Sequence, residues 1–285
     1  MSVRRRLLRD AFLVLAVYLA IRAVLMCGWY GIGWDAHAYY VAWSGGLYEA
    51  LPTSVDAYNY SPLFAQVIWP LTFLPWPVFC AVFVGAAGAG IAWLVRPLPL
   101  VLAVGAWLAC LPEILSGNIF WLLALMAVVG FSHPSAWCVA AFTKISPCVG
   151  PVWFLVRGEW RRLASFAASA LALLMISVLL SPQAWLDWVD FLRASAGDSS
   201  GLVYLSPFAV PFPLVLRVPL ALAVVVFAAR TDRPWLVPVS MLLASPVIGW
   251  GSFALLAAIP RLRGLGSPEP ARDRGSARTG RSLTP

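Results

Sequence analysis

The sequence predicts an all-α, polytopic integral membrane protein, and three observations lead to this fold class. Hydrophobic residues make up 61% of the chain and charged residues only 11%, whereas about 25% of the residues in a soluble domain are charged. Apolar stretches follow one another over most of residues 7–260, and arginines gather at the chain ends and in short loops. Because backbone polar groups in lipid need internal partners, we expect the stretches to be helices.

The apolar stretches divide into segments of unequal length. A straight helix needs about 20 apolar residues to cross a hydrocarbon core of about 30 Å, and several segments are shorter than that. Prolines interrupt many of them, and each proline removes a backbone donor. We therefore expect about nine to ten transmembrane or half-membrane helices. The segments are 7–27, 63–74, 76–95, 98–112, 118–131, 134–156, 163–181, 208–229 and 235–260.

The first segment, 7–27, follows three arginines, has a fourth at its start and resembles a signal peptide at first sight. It is longer than the apolar part of a signal peptide, and no small-x-small cleavage site follows it, so we expect an uncleaved helix. The loop after it, 28–62, is rich in aromatic residues. We expect this loop to carry interfacial helices, one of them over 36–43.

The arginines predict the orientation of the chain in the membrane. Basic loops lie on the cytoplasmic side, which places the N-terminus, "RGEWRR" (157–162), "RTDR" (230–233) and the tail inside the cell. A break at "SPVIGWG" (245–251) turns the last segment into a hairpin and keeps the tail inside. Two loops, 28–62 and 182–206, then lie outside and hold six of the twelve acidic residues.

The domain organisation follows from the same pattern. Residues 1–262 form one membrane-embedded domain. Residues 263–285 are rich in Gly, Ser, Pro and Arg, and we expect them to be a disordered basic cytoplasmic tail. The net charge of +8 arises largely from arginines next to apolar segments, a distribution that argues against a nucleic-acid partner. The five cysteines contain no CxxC pair, so we expect neither a disulfide framework nor a zinc site.

Five short motifs, in this order, resemble those of a known enzyme family. They are "WDAHAYY" (34–40), "GGLYEA" with "YNYSP" (45–62), "SGNIFWLLAL" (116–125), "AAFTKISP" (140–147) and "LLASPVIGW" (242–250). Together they resemble the GT-C superfamily of membrane glycosyltransferases. The closest resemblance is to glycosyltransferase family 87, whose members are polyprenyl-phosphate-mannose-dependent α-mannosyltransferases. Asn118 stands where this family has a glutamine, and the histidine that often follows its Ser-Pro motif is missing.

The resemblance implies a fold, a reaction and a catalytic residue. The fold is GT-C-like, and the partners are a polyprenyl-phosphate sugar, a glycolipid or glycan acceptor and membrane lipids. The reaction is an inverting transfer, which needs one base, and no cofactor or metal is expected. Asp35 is the candidate base, since a carboxylate can take the proton of an acceptor hydroxyl. The alternative from the residues alone is a solvated helix N-cap.

Three cations within or next to apolar segments are candidates for binding the donor phosphate: Arg22, Lys144 and Arg217. Ionisable groups in membrane segments face a cavity or a partner by default. Arg217 ranks slightly above the others because the family resemblance implies an arginine there. The alternative for Arg22 is to snorkel to the outer headgroups. The alternative for Lys144 is packing or pairing, for instance with Glu113.

The remaining candidates would bind the sugar or the acceptor. They are His37, Tyr39, Tyr40, Tyr58, Tyr60 and Asn118. Tyr and Trp are also enriched at any membrane interface, which is the alternative role for the tyrosines. His37 has the alternative of facing the headgroups.

Two further functions stay open on sequence grounds. The proline-broken segments, and the charged Lys144 and Glu113 in apolar surroundings, also suit a transporter or flippase of a lipid-linked precursor. The missing histidine and the length of the chain also suit a catalytically degenerate relative of the family.

Overall fold

A computed structural model describes residues 2–50, 54, 56–145, 147–196 and 213–265, and these residues form helices and loops without a strand. The α-helices are α1 (Val3–Tyr30), α2 (Trp34–Val41), α3 (Pro62–Ile68), α4 (Trp76–Val95), α5 (Leu100–Ala109), α6 (Leu111–Ser116), α7 (Phe120–Val129), α8 (Trp137–Thr143), α9 (Gly150–Val156), α10 (Trp160–Leu180), α11 (Pro182–Ala196), α12 (Leu214–Arg230), α13 (Val237–Ala244) and α14 (Ile259–Leu265). Short 3₁₀ helices cover Trp69–Phe73, Pro134–Ala136, Pro234–Leu236 and Gly251–Ala258.

Three of these helices are long and apolar enough to cross a membrane: α1, α4 and α10. At about 1.5 Å per residue, each is about 30 Å long or more, the thickness of a hydrocarbon core. Shorter apolar helices cover Pro62–Phe73, Leu100–Ala109, Phe120–Val129 and Pro234–Ala244. The chain is therefore an all-helical membrane protein, while the number of complete crossings stays a prediction.

The long helices connect two chemically different ends of the molecule. At the start of α4, the ring of Trp76 lies 4.9 Å from that of His37. Near the end of α4, the guanidinium of Arg261 lies 3.4 Å from the ring of Trp93. Helix α10 runs between the same two ends. Arg162 in its first turn forms an ion pair with Glu159, and the Ser177 carbonyl near its other end accepts a hydrogen bond from Gln66 on α3. We call these the aromatic end and the basic end.

At each end, the loops that the sequence places on one side of the membrane lie together. At the basic end, Arg157 donates to Asp232 at 2.9 Å and so joins the loops 157–162 and 230–233. At the aromatic end, the rings of Tyr48 and Phe191 lie 5.3 Å apart and join the first loop to α11. The pairing of the loops agrees with the arginine pattern, and the side of the membrane that each end faces stays a prediction.

Prolines divide three of the expected segments into shorter helices. The segment 98–112 becomes α5 and α6, and 134–156 becomes α8 and α9 with Pro147 between them. The last segment is interrupted at 245–250, as expected, because the helix cannot continue through Ser245-Pro246. Helix α14 continues to Leu265. Residues 208–212 of the eighth segment, and 266–285 of the basic tail, lie outside the described residues.

Trp137, at the start of α8, is the most completely buried tryptophan of the main core cluster, and two glycines make room for it. A Cβ built on Gly150 would lie 1.9 Å from the indole ring, and one on Gly130 would lie 2.3 Å from its Nε1. The indole is 1% exposed. The close approach of α8 to the helices on either side therefore depends on the absence of a side chain at both positions.

The Gly150→Ala variant should be less stable than the wild type by about 1–3 kcal/mol, because a methyl group would overlap Trp137 in a close-packed core. Gly85→Ala in α4 is the matched control, since a Cβ there meets nothing within 4 Å and alanine favours the helix. Thermal unfolding of both variants in detergent measures the difference. Equal midpoints for the two variants would contradict this packing.

Candidate functional site

Helix α2 begins at a glycine whose conformation sets the position of Asp35. Gly33 is the N-cap with φ +79°, and its N–H donates to the Leu115 carbonyl at 2.7 Å. A Cβ at Gly33 would lie 2.6 Å from the Cys80 sulfur. The helix therefore spans Trp34–Val41, two residues earlier than the expected 36–43. The alternative reading of Asp35 as the N-cap is wrong, because Asp35 lies within the first turn.

The turn between α6 and α7 packs directly against α2. Its Gly117 has φ +71°, and a Cβ there would lie 2.6 Å from the Cβ of Ala36. Both features require glycine, since other residues rarely adopt this φ and would collide with α2. The close approach places Asn118, the next residue, beside Asp35.

Asn118 connects Asp35 to Lys144. Its amide nitrogen donates to Asp35 Oδ2 at 2.9 Å, and its amide oxygen accepts from Lys144 Nζ at 3.3 Å. The same oxygen accepts the N–H of Ile119 at 2.7 Å, which orients the amide. Asp35, Asn118 and Lys144 are all half-buried. Three residues that the sequence selected separately thus form one cluster, which we call the Asp35 cluster.

Lys144 follows the last residue of α8, and aromatic rings surround its ammonium group. Nζ lies 3.6 Å from the centre of the Phe120 ring and 5.6 Å from that of Tyr60. These are cation–π distances. Glu113, the expected alternative partner, lies near enough for its charge to act on Lys144 but forms no salt bridge with it, since Lys144 donates to Asn118 and one Glu113 oxygen accepts the Trp121 N–H.

The tyrosines of the first loop form a packed layer beside the cluster. The hydroxyls of Tyr39 and Tyr60 are 3.0 Å apart, and burial raises the pKa of both phenols, so both stay neutral. Tyr58 donates to the Ser61 carbonyl, and Ser61 in turn donates to the carbonyl of Phe142 on α8. The layer therefore attaches the first loop to α8, the helix that immediately precedes Lys144.

His37 and Tyr40 lie on a neighbouring face of α2. The Nδ1 atom of His37 is 2.8 Å from Asp56 Oδ1, and its ring meets the edge of Trp76. Tyr40 packs on Trp76 and Phe79. The sequence did not indicate that Asp56 would be the partner of His37, because the two are 19 residues apart in an irregular loop.

Arg22 and Arg217 both contact the break between α13 and the following 3₁₀ helix. The Arg22 guanidinium lies 5.8 Å from the ring of Trp250. Arg217 donates to the carbonyls of Ser245 at 2.6 Å and Pro246 at 3.0 Å, and its side chain is buried. It also donates to the carbonyl of Leu243, in the last turn of α13, at 3.3 Å. Because the final carbonyls of a helix lack partners within it, Arg217 stabilises the end of α13.

Burial and the neighbouring polar groups shift the pKa of Asp35 in opposite directions. Burial raises the pKa of Asp35 above its usual value of 3.8 and outweighs the lowering by the Asn118 hydrogen bond and the Lys144 charge. A carboxylate of raised pKa is a stronger base, and here it lies close to an ammonium group. Among the residues that the structure describes, no three His, Cys, Asp or Glu side chains converge as metal ligands would.

Any reaction that uses Asp35 as a base should depend on pH in a defined way. The base must be ionised, so activity should fall as pH drops through the pKa of Asp35, and the raised pKa places that fall above pH 3.8. At pH values below the pKa of Asp35, the rate should decrease tenfold for each pH unit. The measurement is the pH profile of kcat/KM in membranes or detergent. A flat profile down to pH 3.8 would contradict the assignment.

Comparison with known protein families identifies a matching family. The model of the family described as glycosyltransferase family 87 matches residues 58–264, well over half of the chain. The matched region includes Asn118, Lys144 and Arg217, whereas Asp35 precedes it. No curated protein and no solved structure matches the chain.

Proposed function

Because the chain belongs to glycosyltransferase family 87, we propose that it transfers a sugar from a polyprenyl phosphate to an extracytoplasmic glycolipid or glycan. The observation that carries the proposal is the Asp35 cluster, in which the Asn118 amide donates a hydrogen bond to the Asp35 carboxylate and accepts one from the Lys144 ammonium group. Such a transfer needs a base for the acceptor and a positive charge for the leaving phosphate, and the cluster contains one of each.

The proposed reaction is a single displacement. Asp35 takes the proton of the acceptor hydroxyl, and the hydroxyl oxygen forms a bond to C1 of the sugar. The bond between C1 and the phosphate oxygen breaks, so the donor phosphodiester becomes a phosphate monoester with one more negative charge. Lys144, which donates to the same Asn118 amide that contacts Asp35, would stabilise that charge. One displacement inverts the configuration at C1 and needs no second carboxylate as a nucleophile.

The other candidate residues take supporting roles in this proposal. His37, Tyr39, Tyr40, Tyr58 and Tyr60 form or adjoin the aromatic layer beside Asp35, where they would shape the space for the sugar and the acceptor. Arg22 and Arg217, which both contact the break after α13, are further candidates for attracting the donor phosphate. Mannose is the proposed sugar, on the strength of the family resemblance.

We also propose an orientation. The basic end contains the loops 157–162 and 230–233, and basic loops are retained in the cytoplasm. Since α4 and α10 run from that end to the aromatic end, the Asp35 cluster would face the extracytoplasmic side. The donor and acceptor would both reach it within the outer leaflet of the cell membrane.

The test is a transfer assay in membranes that contain the protein. A radiolabelled polyprenyl-phosphate mannose is supplied, and mass spectrometry of the glycolipids detects a product heavier by one hexose. A new glycosidic bond that depends on the protein supports the proposal. Transbilayer movement of the donor without a new bond would show that the protein is a flippase. The absence of both activities would show that it is a catalytically degenerate relative.

A further inference from the structure

Glu113 is a completely buried acid next to the Asp35 cluster, and the proposed reaction does not use it. It lies in the first turn of α6 and is 0% exposed. One carboxylate oxygen accepts the N–H of Trp121 at 3.0 Å, and the other has no hydrogen-bond partner. Burying an acid side chain with one oxygen unpaired costs free energy, so its position needs an explanation.

The hydrogen bond from Trp121 to Glu113 closes the turn that carries Asn118. Trp121 lies in the first turn of α7, where backbone N–H groups lack helical partners. The bond therefore joins α6 to α7 across residues 116–119. Inside the turn, the Asn118 N–H donates to the Ser116 hydroxyl, and that hydroxyl donates to the Glu113 carbonyl. Both ends of the turn are thus attached to Glu113.

A glycine on a third element makes room for the carboxylate. A Cβ built on Gly251, at the start of the 3₁₀ helix Gly251–Ala258, would lie 2.5 Å from the unpaired oxygen of Glu113. Gly249, two residues earlier, has nothing within 4 Å of such a Cβ. The Glu113 carboxylate therefore fits between α6, α7 and this 3₁₀ helix only while residue 251 has no side chain.

From this geometry we propose that Glu113 is a positioning residue for the transfer reaction and acts through Asn118. The inference rests on the proposed function. Glu113 holds the turn in the conformation in which the Asn118 amide contacts Asp35 and Lys144 together. If the turn relaxes, Asp35 loses a hydrogen-bond donor and Lys144 loses an acceptor. Both losses lower the rate of the chemical step, while substrate binding elsewhere is unchanged.

A double-mutant cycle tests whether Glu113 affects the reaction through Asn118. Glu113→Ala should lower kcat by about tenfold, within the range for coupled neighbours, and leave KM within about twofold. Glu113→Gln keeps an acceptor for the Trp121 N–H and should retain most of the activity. In an Asn118→Ala background, Glu113→Ala should cause no further loss. Losses that multiply in the double variant would overturn the proposal, as would equal losses in the Gln and Ala variants.

Hydrogen–deuterium exchange provides a readout that does not need activity. Glu113→Ala should speed exchange at the Trp121 amide, whereas Glu113→Gln should not, and unchanged exchange in Glu113→Ala would overturn the proposal. Gly251→Ala, which displaces the carboxylate, should act like Glu113→Ala, and Gly249→Ala is its matched control. If the wild type transfers no sugar, the proposed function fails, while the exchange data still decide whether Glu113 holds the turn.

Discussion

Replacing Asp35 by asparagine is expected to reduce sugar transfer by at least about a hundredfold, the lower range for loss of a general base. Asparagine has nearly the same shape and can still pair with the Asn118 amide at the 2.9 Å position. The fold should therefore be kept while the proton acceptor is lost. The measurement is the initial rate of transfer from a labelled polyprenyl-phosphate sugar, per amount of folded protein.

Asp190→Asn is the matched control for Asp35→Asn. Asp190 lies on α11, is exposed, and pairs with Arg193 three residues away, an arrangement that contributes little to stability. The same chemical change at this position should leave the rate unchanged. If Asp35→Asn kept more than half of the wild-type rate, Asp35 would not be the base, whatever the control showed.

Lys144→Met is expected to lower kcat by about a hundredfold or more, the usual effect of removing one preorganised group that stabilises developing charge. Methionine has a similar length and retains a favourable contact with the Phe120 ring, so packing should change little. The positive charge that faces the leaving phosphate is then absent. Single-turnover kinetics measure the chemical step separately from donor binding.

Two further variants give the Lys144 experiment a sharp outcome. Lys144→Arg keeps the charge and should retain part of the activity, though the larger guanidinium fits the site less well. Arg193→Met removes an exposed cation on α11 and should have no effect. A wild-type kcat in Lys144→Met, with only KM raised, would show that Lys144 binds the donor and does not stabilise the leaving group.

Much of the fold was predictable because a bilayer restricts what an apolar chain can do. The expected helices over 76–95 and 163–181 correspond to α4 and α10, and the break at Ser245-Pro246 is present. These features depend on local composition and on the missing donor of proline. The start of α2 was misplaced by two residues, because it depends on the contact of Gly33 with Leu115, which is remote in the chain.

The candidate site was only partly predictable. The resemblance selected Asp35 and Asn118, and the charge of Lys144 in an apolar segment selected it separately; the structure shows that one amide joins the three residues. The sequence ranked Arg217 highest among the cations, yet its guanidinium donates to carbonyls at the end of α13. Glu113 was considered only as a partner of Lys144, because a sequence does not show which backbone N–H a buried carboxylate will meet.

The sequence by itself determined that this chain is helical, lies in a membrane and carries the motifs of a glycosyltransferase family, since these properties follow from hydropathy and from short local patterns. Only the tertiary structure decided which polar groups meet. Asp35 and Asn118 are 83 residues apart, and Asn118 and Lys144 are 26 apart. Their contact depends on Gly117, which lets the α6–α7 turn approach α2 closely, and on Gly33, whose N–H donates to the Leu115 carbonyl. Such an approach is a property of packed surfaces, and no local pattern encodes it.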